Sequence, residues 1–303
     1  MITAIFLSAS AFAENLIFAK IQAPWQKKEP LSFEIRGDKI EKVPVVFSFK
    51  ATPDTFYRFT FQVNTNSPCR IVILTTQAKR VSYVFIPIRK NSHFATVNFY
   101  SQDANPIIGR LFLDQLSGSA QLEIKNFQLQ RLSESDLKEN LFPNGDFENE
   151  AGADFLKTNS NNSRPVIGKI VSSPDFFEGE KSFEMAFGNT DQENKLASHY
   201  LPMIPGKRME LKFWAKSTGE QKLTVIMNTI PRSGTWHKGK HLYFNKPFTI
   251  DGKWREYTLS FQPGADFENV PDLKRHLLKL QFFAPEKGKG KIWLDNLDYR
   301  ILD

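Results

Sequence analysis

The sequence predicts an all-β protein built from two β-sandwiches in tandem. Three observations carry that reading. Alternation of apolar and polar residues runs through most of the chain, helical periodicity is hard to find, and one series of alternating runs occurs twice. The length of 303 residues leaves room for two domains at roughly 150 residues each. Hydrophobic residues at 41% and charged residues at 24% exclude a chain that is disordered throughout. Phe is the notable count, at 28 against 16 Gly and 17 Pro. Aromatic side chains suit pleated, half-buried surfaces, so the excess also points to strands.

In chain order, the first segment reads as an address. Residues 1–13 are apolar and end in Ala11-Phe12-Ala13, the small-x-small pattern of a signal peptide cleavage site. The stretch is too short to span a bilayer. Cleavage after Ala13 would place the mature protein outside the cytoplasm, although the segment lacks the usual leading Lys or Arg. No later run of 18 apolar residues occurs, so no transmembrane segment is expected.

The first half then shows alternating runs at Tyr57, Phe59, Phe61 and Val63, at Ala95, Val97 and Phe99, and at Leu122, Ile124, Phe127 and Leu129. The second half repeats them at Met209, Leu211, Phe213 and Ala215, at Tyr257, Leu259 and Phe261, and at Ile292, Leu294, Leu297 and Tyr299. Further runs lie at Leu223, Val225 and Met227, and at Leu278, Leu280 and Phe282. Turn signals bound them, among them Pro205-Gly206, Thr218-Gly219, Asp251-Gly252 and Pro263-Gly264. The offsets between the copies are 152, 162 and 170 residues (57 to 209, 95 to 257, 122 to 292). The increase reads as longer loops in the second copy. Two copies are too few for a solenoid, so two sandwiches follow: residues 14–136 and 137–303, joined near Ser133–Asn140, where Ser133 to Asp136 could cap one helical turn.

The single cysteine, Cys69, excludes an intramolecular disulfide and a cysteine-rich zinc module. It precedes an apolar run and reads as a small buried hydrophobe. The net charge is +7: residues 14–136 hold 16 basic and 11 acidic residues, and residues 137–303 hold 24 and 22. That balance forms no block of like charge. It reads as a solvated surface, with weak attraction to an anionic polymer as the functional alternative. Nucleic acid is not an expected partner.

The second half resembles the CenC-type carbohydrate-binding modules (families 4, 9, 16 and 22). The residues that carry the resemblance are the opening Asn140-Leu141-Phe142-Pro143-Asn144-Gly145-Asp146-Phe147-Glu148, then Glu178-Gly179-Glu180-Lys181-Ser182-Phe183. Pro205-Gly206-Lys207 leading into Leu211-Lys212-Phe213-Trp214-Ala215-Lys216, Gly252-Lys253-Trp254 leading to Phe261, and Trp293-Leu294-Asp295-Asn296-Leu297 complete it. The resemblance implies two tandem jelly rolls, the first divergent: it lacks the opening and has Lys125-Asn126-Phe127 where Asp295-Asn296-Leu297 stands. It also implies a structural calcium held by Glu148, Asp295 and the backbone carbonyl of Lys181 or Ser182, in keeping with the oxygen preference of a hard cation. The competing reading of the same acids is a turn residue and a last-strand Asp bonded to backbone amides. Trp214 and Trp254 match family positions expected to be framework.

Sugar binding of this kind stacks aromatic rings on pyranose faces. The polar segment Pro231 to Tyr243 carries Trp236, His237 and Tyr243, and an aromatic on a polar loop calls for a reason. Trp236, Tyr243 and His237 are therefore the candidate binding residues, with Tyr200 as a weaker one; a loop anchored at its rim is the alternative. His237 and His241 are four apart, yet Gly239 and two lysines lie between them and no third ligand is evident, so zinc is not expected. No nucleophile elbow, zincin motif, phosphate loop or dinucleotide fingerprint occurs, so catalysis is not expected. The function expected is an exported, non-catalytic, polysaccharide- or glycan-binding protein. The alternatives are an adhesive sandwich that binds protein, or an accessory module of a polysaccharide-degrading system.

Overall fold

The structure is a computed structural model. It describes residues 31–36, 45–65, 69–75, 80–88, 91–101, 106–113, 119–142, 144–148, 168–172, 177–187, 195–229, 243–263, 276–285 and 289–303. The expected signal peptide, residues 1–13, lies outside them. The chain divides into two compact units, Met1–Leu132 and Ser133–Asp303.

The first unit has eight strands: β1 (Leu31–Arg36), β2 (Val45–Lys50), β3 (Thr55–Thr65), β4 (Cys69–Thr75), β5 (Arg80–Ile88), β6 (Asn91–Ser101), β7 (Pro106–Leu113) and β8 (Ser119–Arg131). They form two four-stranded sheets, ordered β1-β8-β3-β6 and β2-β7-β4-β5. The antiparallel pairs β1·β8, β2·β7, β3·β6 and β4·β5 nest inside one another. This is one long hairpin wrapped alternately into two sheets, which is a jelly roll.

The second unit repeats the plan. Its strands are β9 (Gly168–Ser172), β10 (Lys181–Phe187), β11 (Lys195–Met203), β12 (Met209–Ser217), β13 (Gln221–Thr229), β14 (Tyr243–Ile250), β15 (Arg255–Phe261), β16 (His276–Phe283) and β17 (Gly290–Ile301). The sheets are β15-β12-β17-β10-β9 and β11-β16-β13-β14. With β10 matched to β1, and so on to β17 with β8, both sheet orders coincide; β9 is an added edge strand. The fold class expected from the sequence, two tandem jelly rolls, is the one observed.

The three repeated runs lie on β3 and β12, β6 and β15, and β8 and β17, and their registers coincide. Phe59 pairs with Leu129 as Leu211 pairs with Tyr299, and Gln62 with Lys125 as Trp214 with Asp295. Tyr57 pairs with Phe99 as Met209 pairs with Phe261. Both central pairs carry an irregularity at the same place, between Thr60 and Gln62 and between Lys212 and Trp214. The extra residue is Asn126 in one copy and Asn296 in the other, at φ 51° and 48°. Asn tolerates the left-handed region better than most residues, and a residue there bends a strand locally.

Alternation fills the core. Along β12, residues Met209, Leu211, Phe213, Ala215 and Ser217 are buried and the intervening ones are partly exposed. Phe213 stacks on Tyr257 at 5.5 Å and meets Phe248 and Phe282 edge-on, each at 5.4 Å. One phenylalanine thus touches its own sheet through β15 and the facing sheet through β14 and β16. The Phe excess is core material in both copies, with Phe56, Phe59, Phe61 and Phe99 in the first, and Phe147, Phe183, Phe213 and Phe282 in the second, at most 1% exposed. At the start of the second unit, Asp136–Lys138 forms one 3-10 turn. The Ser133 and Asp136 side chains each accept the other's backbone N–H, at 3.2 and 2.6 Å respectively.

Candidate functional site

Two regions of the second unit hold the residues expected to carry chemistry. The first is the opening motif. Asn140 binds across the last strand: its Nδ2 donates to the Leu297 carbonyl at 2.9 Å, and its Oδ1 accepts from the amides of Phe142 and Tyr299 at 2.8 and 3.1 Å. The Leu297 amide donates to the Gly145 carbonyl at 2.8 Å. A Cβ on Gly145 would lie 2.0 Å from the Leu297 oxygen, so the close approach of segment and strand requires glycine there. Phe147, at φ 57°, is fully buried and stacks on Phe183 at 5.5 Å.

Glu148 ends the motif against the turn before β10. Its Oε1 accepts the amides of Glu180 and Lys181 at 2.7 and 3.0 Å, and Lys181 Nζ donates to the Glu148 carbonyl at 3.0 Å. Gly179, at φ +72°, leaves no room for a Cβ, which would meet Glu148 Oε1 at 2.1 Å. Asp295, on β17 and 1% exposed, accepts the amides of Phe177 and Glu178 on Oδ2, at 2.8 and 3.2 Å. Its Oδ1 accepts the Asn296 amide at 2.7 Å. Burial pushes the Asp295 carboxyl up, to about 6; the three amides pull it down, and the nearby Glu148 carboxylate pushes it up again. The structure therefore brings Glu148, Lys181 and Asp295 to one turn, each engaged with backbone groups.

On the outward side of the same sheet, the Phe177 ring lies flat on Trp214 at 3.6 Å, with Trp254 at 6.2 Å. Lys216 Nζ stands 5.5 Å from the Trp254 ring and 4.9 Å from Trp293. Trp214 and Trp254 thus pack on the residue whose amide holds Asp295.

The second region is the outward side of the sheet β11-β16-β13-β14. Leu278 and Leu280 are buried and Lys279 between them is partly exposed, so Lys279 occupies an outward position. The register runs Tyr200–Lys279–Asn228–Tyr243 across all four strands. Two of the four expected sugar-binding residues therefore occupy one cross-strand row, on the two edge strands. At about 4.8 Å between strands, the row spans roughly 14 Å. The adjacent row by register is Ala197–Gln281–Ile226–Asn245, in which Ile226 is buried and Asn245 exposed. Trp236 and His237 lie outside the described residues. Lys279, Gln281 and Asn228 were not singled out from the sequence; their signal was the polar half of the alternation that marked Leu278, Leu280 and Phe282 as core.

Fold and site define a class: a jelly-roll module whose opening segment is fastened to its last strand, beside a second sheet with a polar row between two tyrosines. Residues 139–271 match a family described as a carbohydrate binding domain, which bears out the resemblance of the second half to modules of that kind. Among solved structures, the chain is similar to a tandem pair of family 22 carbohydrate-binding modules from Paenibacillus barcinonensis Xyn10C. That likeness is 11% identical, covers 90% of this chain and 87% of that one, and has a TM-score of 0.36. A family 11 module from Clostridium thermocellum, solved with a β-1,3-1,4-mixed-linked tetrasaccharide, is 19% identical over 55% of this chain and 96% of its own, with a TM-score of 0.36. No curated protein matches the chain.

Proposed function

We propose that the protein is an exported, non-catalytic glycan-binding protein, and that its second unit stacks sugar rings on Tyr200, Tyr243 and Trp236, with His237 as a further binding residue. The observation that supports this most is the row Tyr200–Lys279–Asn228–Tyr243, of which Tyr200, Asn228 and Tyr243 lie inside the region that matches the carbohydrate binding domain family and Lys279 lies just beyond it. Tyr residues at the two ends of a row and Lys and Asn at the positions between them are the residue types, aromatic and hydrogen-bonding, that a polyhydroxylated ring requires. Among the described residues no helix is long and apolar enough to cross a membrane, and the apolar first 13 residues support export.

The same reading gives the opening motif a structural role. The chemistry of Glu148 and Asp295 fits a hard cation: two carboxylates are close enough for one to raise the other, and Asp295 is desolvated. Calcium would be held by these two and completed by backbone carbonyls, that of Lys181 among them. It would supply the charge compensation that the backbone amides supply only in part.

Binding of the full chain to soluble polysaccharides, read by titration calorimetry, tests the site. Trp236→Ala is expected to lower affinity more than tenfold while leaving the thermal midpoint within about 2 °C, since stacking is worth roughly 1–3 kcal/mol per ring. Unchanged affinity in this variant and in Tyr243→Ala would remove the site from this sheet.

A further inference from the structure

The two sheets of each jelly roll differ in where their acids lie. The strands of the sheet β11-β16-β13-β14 contain Lys195, Lys222, Lys246 and Lys279, and neither Asp nor Glu. The strands of its companion sheet contain Glu184, Glu210, Glu256, Asp295 and Asp298 beside their cations. The first copy repeats the asymmetry. The matching sheet β2-β7-β4-β5 contains Lys50, Arg70, Arg80 and Arg110 and no acid, whereas β1 and β8 in its companion carry Glu34 and Glu123. The near balance of the second half conceals it: five of its 22 acids lie on the strands of the companion sheet, none on the strands of this one, and the rest lie outside both sets of strands.

Position matters as much as number. Lys222 and Lys279 are exposed and half-buried, and they alternate with the buried Leu223 and Leu278 or Leu280, so both lie at outward positions. Lys279 stands in the row between Tyr200 and Tyr243. A neutral glycan asks only for hydroxyl partners, which carboxylates and amides supply as well as ammonium groups do. Strands that, among the described residues, carry no carboxylate and place Lys279 at a register position between two tyrosines are complementary to an anion.

We infer that the ligand of this sheet is an anionic polysaccharide, one with a carboxylate on its sugar rings. The inference rests on the glycan-binding reading and names the class of glycan. Stacking holds the ring while Lys279 and Lys222 neutralise the carboxylates, so the affinity contains a part that salt screens and a part that it does not.

The test uses the full chain with polygalacturonate and alginate, each beside its esterified form. The ring and linkage stay the same within a pair and only the charge is removed. Expected is binding to at least one of the two acids, at least tenfold weaker to the ester. Lys279→Gln and Lys222→Gln should each weaken binding to the acid by roughly threefold to tenfold, with Lys212→Gln on the companion sheet unchanged. Equal affinity for acid and ester overturns the inference and leaves glycan binding standing. So does tighter binding of neutral xylan or mixed-linkage glucan than of either acid. Equal affinity for a DNA duplex overturns it too, by showing a basic surface indifferent to sugar. Failure to bind any carbohydrate removes the glycan reading and this inference together.

Discussion

The carboxyl of Asp295 is nearly fully buried and carries Glu148 as a neighbour, and three backbone amides point at its oxygens. Burial outweighs the amides, so its folded value rises from the ordinary 3.8 to about 6. A carboxyl raised on folding binds more protons in the native state than in the unfolded one between those values, so stability falls as pH rises through that window. The span is on the order of 3 kcal/mol. In chelator, the midpoint of the wild type minus that of Asp295→Asn is expected to fall between pH 4 and pH 6 and then level off. A flat or rising difference would show that the amides dominate. Calcium at pH 7 is expected to raise the wild-type midpoint and to leave that of Asp295→Asn unchanged. The first copy needs no such compensation, because Lys125 stands at the matching register position and lies 3.6 Å from Glu123.

At the scale of the element, the segment 140–148 behaves as a strap across β17. Asn140 holds it at one end, the Gly145 carbonyl in the middle and Glu148 at the turn before β10. Gly145→Ala places a methyl group into the Leu297 carbonyl, backbone against backbone, where no side chain can yield. The expected loss is about 3 kcal/mol, read as a lower urea midpoint with an unchanged slope. Alanine at Gly252, where the added carbon meets only the Ser217 carbonyl oxygen at 3.8 Å, an ordinary contact, serves as the control for replacing glycine. The strap was legible in the sequence as a family motif; its mechanics were not, because the glycine requirement arises from a strand 150 residues away. Strands were legible for the same reason that Phe213 and Phe59 are buried: period-two alternation is a local signal. The row Tyr200–Lys279–Asn228–Tyr243 joins strands at positions 200, 279, 228 and 243, and register between distant strands leaves no local mark. Of the expected binding residues, Tyr200 and Tyr243 share that row, which spacing along the chain could not have paired.

The whole molecule is one hairpin-wrapping plan executed twice, down to the paired irregularities at Asn126 and Asn296 and the left-handed turn residues Asp54 and Gly206. What the copies share is therefore what the jelly roll requires: inward Phe, Leu and Tyr, register and bulge. What they do not share is free to serve function. Where the second copy has Trp214 and Trp293, the first has Gln62 and Glu123 at the matching register positions, and the strap occurs in the second copy alone as a motif. Both copies keep a sheet without acids, yet Tyr200, Tyr243 and Trp236 belong to the second. Ligand binding should then stabilise the two units unequally. A glycan at 100 times its Kd adds about 2.7 kcal/mol to the unit that holds it, roughly a hundredfold slowing of the amides that exchange through global opening of that unit. Hydrogen exchange of the full chain is expected to show that slowing along β10 to β17 and no change along β1 to β8. Equal slowing in both sets would mean that the acid-free sheet is sufficient for binding and that the tyrosine row is not what selects the second copy.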